Sequence, residues 1–179
     1  MVEAAEFRGG MALLAGAVNV VTTDGPMGRA GLTASAVCSV TDQPPTLLVC
    51  VNRASYAHSF FMGNNVLCVN VLSSSQQSVS ALFATRTATM DERFASIGWD
   101  TLATGAPALE GALASFDGKI VQAHEMGTHD IFLVELSAVR ITTDRDPGAL
   151  AYFNRAYHRI GEERTSTALA PDNVEPKSV

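Results

Sequence analysis

Charge is scarce in this chain. Of 179 residues only 17% are charged against 47% apolar, and 12 basic side chains against 18 acidic ones leave a net charge of −6. With a pI near 5.1, the chain has no clustered Lys and Arg to grip nucleic acid through its phosphates. Any anionic ligand must be met by a local set of donors. Charge this sparse also leaves apolar surface for a second copy to cover, so a homodimer is expected.

Long hydrophobic runs are missing too. No apolar stretch reaches 18 residues, so no membrane-spanning helix is expected. The run Met11 to Val18 has the look of a secretion signal, but Glu3 and Glu6 stand where such a signal is basic. The expected compartment is the cytoplasm. Cysteine is limited to Cys38, Cys50 and Cys68, with neither a CxxC pair nor a Cys/His ligand spacing, which argues against a metal site. All three sit in strand-like apolar runs and read as buried free thiols. Two signatures are also missing. There is no GxGxxG after a strand, the usual dinucleotide fingerprint, and no GxSxG nucleophile elbow.

What is present is a succession of short apolar strands. Residues 4–15 read as a short helix weakened by Gly9 and Gly10. Strands are expected over 17–23 and 29–41, joined as a hairpin by the turn Asp24-Gly25-Pro26-Met27-Gly28. Pro44 and Pro45 end the second, and 46–51 is apolar on both faces, as a central strand would be. A short helix over 55–61, a strand over 67–72 and a helix over 73–83 capped by Ser74 or Ser75 follow. Another helical turn is expected at 90–94. Further strands cover 114–123, 131–141 and 149–153, with a shift of apolar phase near Ser137 that predicts a bulge. Six or seven short strands with few long helices exclude a doubly wound α/β sheet. They favour a mainly β, closed antiparallel barrel with peripheral helices. The domain is placed at 1–160, with a polar, unpatterned flexible tail over 161–179.

Four segments could carry chemistry. In Gly31-Leu32-Thr33-Ala34-Ser35-Ala36, small side chains would let a flat ligand approach the backbone while hydroxyls and amides donate to it; a half-buried strand with solvated hydroxyls explains the same residues. Asn52-Arg53-Ala54-Ser55 ends a strand and opens a helix, a plausible phosphate site or a plain cap. His129, in Gly127-Thr128-His129-Asp130, starts a strand where it could line a cleft or sit in a polar turn. Tyr152, Phe153, Arg155 and Tyr157 could stack on a planar ligand or pack a last strand.

In order along the chain, GRAGLTASAVCSVTDQPPTLLVCVNRAS, LCVNVL, ALFA, GTHDIFLVEL and YFNRAYH resemble the short-chain flavin reductase family over about 7–158. These are the small partners of two-component flavin monooxygenases, built on the FMN-binding split barrel. The resemblance implies a homodimeric NAD(P)H:flavin oxidoreductase using FMN or FAD and NADH or NADPH. It implies that Thr33, Ala34, Ser35 and Ala36 cradle the isoalloxazine and ribityl chain. Val51, Asn52, Ser55, Ser59 and Phe60 match contacts on the phosphate side, and Phe83 and Arg86 match positions near the cofactor tail. His129 matches the histidine of the family's Gly-Asp-His element, with Thr128 in place of that Asp, and Tyr152 lies near the same nicotinamide pocket. Hydride passes directly from nicotinamide to flavin, so no catalytic side chain and no metal are expected. Arg29, Arg53 and Arg155 are each candidates to meet a 2′-phosphate. The acceptor of the reduced flavin is a monooxygenase in the hydroxyphenylacetate and pyrimidine-utilisation branches. Two other readings stay open: an FMN-retaining cobalt-corrinoid (cob(II)yrinic acid a,c-diamide) reductase, and a flavin-binding protein without turnover.

Overall fold

Strand 19–23 shows how the layers are built. All five residues, Asn-Val-Val-Thr-Thr, are buried. Because successive side chains point to opposite faces, Val21 enters one apolar core and Val20 another. A strand buried on both faces must have layers on both sides, and it does. The computed structural model describes residues 2–142 and 148–161.

The elements run α1 (Ala4–Met11), β1 (Gly16–Ala17), β2 (Asn19–Thr23), β3 (Ala30–Ala34), β4 (Val37–Asp42) and β5 (Pro45–Asn52). Then come α2 (His58–Asn64), β6 (Val66–Val71), a 3-10 turn (Ser74–Gln76), α3 (Gln77–Ala84) and α4 (Met90–Ala95). The chain closes with β7 (Trp99–Thr101), β8 (Pro107–Leu109), β9 (Ala114–Met126), β10 (His129–Ile141), β11 (Ala149–Phe153) and β12 (Ala156–Ile160). Seven strands form one antiparallel sheet in the order β3-β2-β6-β9-β10-β5-β4. A smaller sheet, β1-β11-β12, and the hairpin β7-β8 pack outside it.

The sheet curls so that its edges converge. Val21, Val69, Val49, Phe132 and Val134 fill the interior with Phe61 of α2 as a plug. Leu32 from the β3 edge and Val37 from the β4 edge both pack on that core. Edge strands β3 and β4 lie at opposite ends of the sheet order, although only Ser35 and Ala36 separate them in the chain. They do not pair with each other, so the barrel is split at this crossing. The second core lies outside the barrel, where α3, α4 and β11 bury Val79, Phe83, Phe94, Leu109 and Leu150. Phe83, Phe94 and Trp99 meet edge-on or tilted at 4.8–5.7 Å.

Several expectations meet the structure directly. The hairpin registers as Asn19↔Ala34 through Thr23↔Ala30, and β10 shifts register between Leu136 and Ala138, at the predicted bulge. The expected strand 29–41 is instead two strands, because the chain must pass from one edge of the sheet to the other at Ser35-Ala36. The 46–51 strand is one place from the edge rather than central: Leu47, Val49 and Val51 are buried, while the alternate residues are only half-covered. Of the three thiols only Cys68 is buried; Cys38 is exposed on edge strand β4 and Cys50 is intermediate. The capping box is formed by Ser73 with Gln76 at the start of the 3-10 turn that leads into α3, rather than by Ser74 or Ser75. Strands β7, β8 and β12 carry no alternation that sequence could reveal. Of the expected tail only Gly161 falls within the described residues. No helix among them is long and apolar enough to cross a membrane.

Candidate functional site

The split in the barrel opens onto a cleft of about 990 Å³. Its first wall is the crossing itself. Gly31 to Ala36 line it, and Ser35 and Ala36 are exposed. The crossing is fastened by its carbonyls: Val37 N–H donates to Ser35 O and Cys50 N–H to Ala36 O, both at 3.0 Å. The amide N–H groups of Ser35 and Ala36 find no partner among the described residues, and both residues line the cleft. Small side chains there keep the backbone approachable.

The second wall is the end of β5 with the segment that follows. Cys50, Val51, Asn52, Ala54, Ser55 and Tyr56 line it. Asn52 shapes the turn: its side-chain oxygen accepts from Ala54 N–H at 2.8 Å and its carbonyl from Ser55 N–H at 2.9 Å. His129 registers directly opposite Asn52 across the β5–β10 ladder, so both reach the cleft on one face. Its ring Nδ1 lies 2.9 Å from Thr128 Oγ1. Burial raises the Cys50 thiol above its ordinary value, so this sulfur stays protonated and is no nucleophile at neutral pH.

The third wall is the loop from α3 to α4, where Thr85, Thr87 and Thr89 alternate around Arg86. Arg86 is exposed and forms no ion pair among the described residues, which leaves a cation on the rim for an anionic group. Thr89 caps α4 in a capping box with Glu92, and the hydrogen bonds from Thr89 hold the Glu92 carboxyl below its ordinary range. Arg93, one turn into α4, is buried and meets only carbonyls. It donates to Phe83 O and Ala88 O at 3.2 Å and to Thr85 O at 2.6 Å, and reaches Gly31 O at 3.5 Å. The guanidinium thereby ties the third wall to the first. Desolvation by burial lowers its pKa below the usual arginine range.

The structure brings into this cleft Thr33, Ala34, Ser35, Ala36, Val51, Asn52, Ser55, Phe83, Arg86 and His129. Phe83 contributes from below as floor, its ring pressed against Gly31. Thr33 spends its hydroxyl on Ser80 O at 2.7 Å. Three other candidates do not line the cleft. Ser59 is on the exposed side of α2, Phe60 packs on Tyr56 and the Gly28 turn, and Tyr152 on β11 stacks edge-on against Tyr157 at 5.3 Å. Of the cations weighed for a 2′-phosphate, Arg29 lies over the Phe94 ring at 4.5 Å, and neither it nor Arg53 or Arg155 lines the cleft. Sequence reasoning passed over Tyr56, Arg93 and the three threonines. The alternation Thr-Arg-Thr-Ala-Thr after a helix end is the one local signal that could have pointed to them.

A cleft with small-residue access to the backbone along one wall and an exposed cation, Arg86, on another can take a flat ligand that carries an anionic group. The chain's relatives agree with that geometry. The family model for the flavin reductase like domain matches residues 11–161. The chain is 54% identical over 159 residues to the FMN reductase (NADH) RutF of Serratia proteamaculans, covering 89% of each. It is 54% identical to the protein of that name from Variovorax paradoxus, covering 87% of this chain and 85% of the relative. Among solved structures it is similar to BorF, the flavin reductase component of a bacterial two-component tryptophan halogenase (32% identity, TM-score 0.82, 89% of this chain and 99% of that one). It is also similar to the Streptomyces globisporus NADH:FAD oxidoreductase SgcE6, solved with NAD and FAD fragments (25% identity, TM-score 0.80, 89% and 93%). A match that runs from the end of α1 through β12 takes in every wall of the cleft, and the chain belongs to the flavin reductase like domain family.

Proposed function

We propose that this protein is an NADH-dependent flavin reductase that takes FMN as its principal flavin and hands the reduced flavin to a monooxygenase. The observation that carries this reading is the crossing at Ser35-Ala36, where two unpartnered amides and small side chains border a cleft large enough for a flavin. The curated relatives' name, FMN reductase (NADH), supports the choice of flavin and of nicotinamide. When bound, the flavin supplies the electron-poor ring that accepts the hydride.

The chain's own residues then have three tasks. The Ser35 and Ala36 amides donate to the electron-rich edge of the ring system, where preorganised dipoles are worth most. Arg86 with the hydroxyls of Thr85 and Thr87, together with the turn at Asn52 and Ser55, meets the phosphate and ribityl groups. His129 orients the nicotinamide, and no side chain needs to act as acid, base or nucleophile. Ser59, Phe60 and Tyr152 have no task within a single chain's cleft. The working unit is a cytoplasmic homodimer. Helix α1 buries none of its residues on its own chain, and Phe7, Leu13, Leu14, Met126 and Ile141 are all exposed by 60% or more. A second copy covers such surface at little cost.

The test is NADH oxidation with FMN, FAD and a cob(II)alamin-type acceptor compared side by side, with dialysis of the flavin-loaded protein. Turnover with excess free FMN and loss of colour on dialysis support the reading. A yellow protein that survives dialysis and reduces the corrinoid points to the corrinoid reductase instead. Flavin binding without accelerated NADH oxidation leaves only a carrier.

A further inference from the structure

Asp130 is a buried carboxylate that the cleft itself does not use. It follows His129 in β10 and so points to the opposite face, into the end of the barrel beside Phe132. A carboxylate held there must be compensated. Its partners both come from the β5–α2 connection. His58 Nε2 donates to Asp130 Oδ2 at 2.7 Å, and Arg53 Nε lies 3.8 Å from Asp130 Oδ1. These two residues bracket Ala54, Ser55, Tyr56 and Ala57, the run that lines the second wall. The His58 ring is stacked on Phe132 at 5.9 Å between centroids, which fixes its direction.

The Asn52 turn and the buried Ala57 hold this run to β5 and α2, but its other links toward β9 and β10 are few. Arg53 N–H donates to Thr128 O at 3.0 Å, and Arg53 also pairs with Glu125, whose side chain is largely exposed. An exposed pair of that kind holds little by itself. We infer that Asp130 is a positioning residue: through His58 and Arg53 it pins both ends of the 53–57 segment to the strand that presents His129, and so sets the affinity of the flavin subsite. The inference rests on the flavin reading above. It adds that discrimination between flavin and nicotinamide is split across the two faces of one strand, His129 serving one and Asp130 the other.

The experiment compares wild type with Asp130→Asn, His58→Leu, His58→Gln and Glu125→Gln by steady-state NADH oxidation and by fluorescence titration with FMN. Asp130→Asn keeps the shape and loses the charge, and is expected to raise KM and Kd for FMN by roughly three- to tenfold while kcat and KM for NADH change less than about twofold. His58→Leu should match it, and the double variant should be no worse than either single, because the three groups act as one unit. His58→Gln, whose amide can still donate to the carboxylate, should recover most of the affinity, and Glu125→Gln should resemble wild type. Unchanged FMN affinity in Asp130→Asn and His58→Leu overturns the inference, as does an equal rise in KM for both substrates. Should wild type bind FMN without oxidising NADH, the reductase reading fails, and the titration still decides the role of Asp130. Should it bind no FMN, both fall.

Discussion

Arg93 borders the cleft but spends its guanidinium on backbone carbonyls, and replacing it tests how the cleft is held open. In Arg93→Met the stem is kept and the guanidinium removed. Three carbonyl oxygens at 3.2, 3.2 and 2.6 Å, those of Phe83, Ala88 and Thr85, lose a charged donor. Hydrogen bonds to charged groups contribute about 1.5–3 kcal/mol each, and a buried acceptor left empty costs about 1–3 kcal/mol. Part of this returns when water enters or the loop relaxes. A net loss of about 3–5 kcal/mol is therefore expected, a large share of the roughly 5–15 kcal/mol that holds a typical domain. At a urea slope of about 2 kcal/mol per molar, the unfolding midpoint should fall by about 1.5–2.5 M. Arg93→Lys keeps the charge but lacks the fork that spans three carbonyls, and should lose about half as much on the order-of-magnitude scale for hydrogen bonds. Since the same carbonyls fasten the Thr85–Thr89 loop, both variants should also raise KM for FMN while the protein is still folded. A midpoint within about 0.3 M of wild type for Arg93→Met, at the quoted slope, would refute the clamp.

Three other outcomes follow from particular contacts. A Cβ on Gly118 of β9 would sit 2.4 Å from the Glu135 carbonyl oxygen and 2.9 Å from a Val134 methyl. Gly118→Ala must therefore push β9 off β10, and a loss of roughly 3 kcal/mol or more is expected in thermal or urea unfolding, at the upper end for overpacking. The Thr89–Glu92 cap acts on pH. Hydrogen bonds from Thr89 depress the folded carboxyl below its ordinary 4.5, so the cap's contribution is complete above that value and is lost as pH falls through the lower folded one. Wild type and Thr89→Ala should therefore differ most at neutral pH and converge in acid; a difference that grows in acid would contradict the assignment. His129→Ala should raise KM for NADH with little change in kcat, because the ring orients the donor and transfers no proton. Loss of hydride transfer at unchanged nicotinamide affinity, seen in single-turnover measurements, would show that it does more.

Much of this protein was legible before folding. Alternation in 131–141 and the apolar runs 46–51 and 67–72 announced strands, because a half-buried ladder requires that spacing whatever surrounds it. The phase shift at Ser137 located a bulge, and GLTASA marked a ledge through its small side chains. Sparse charge, read as missing surface polarity, matches an N-terminal helix that buries nothing on its own chain. Other features had no local signature. Residues 29–41 read as one strand because alternation persists through Ser35-Ala36; that the chain there leaves one sheet edge and joins the other depends on how seven strands curl. Arg93 sits in an ordinary amphipathic turn, Met-Asp-Glu-Arg-Phe, and nothing nearby says that it is buried among carbonyls. Asp130 and His58 are 72 residues apart.

The sequence by itself determined the strands, the small-residue ledge and the scarcity of charge, since these depend on neighbours two to four residues away. Only the tertiary structure decided where the barrel splits, which loop faces the ledge, and which buried charges hold the two apart. Those follow from long-range closure and from the need to compensate each desolvated group, and the partner that does so can come from anywhere in the chain.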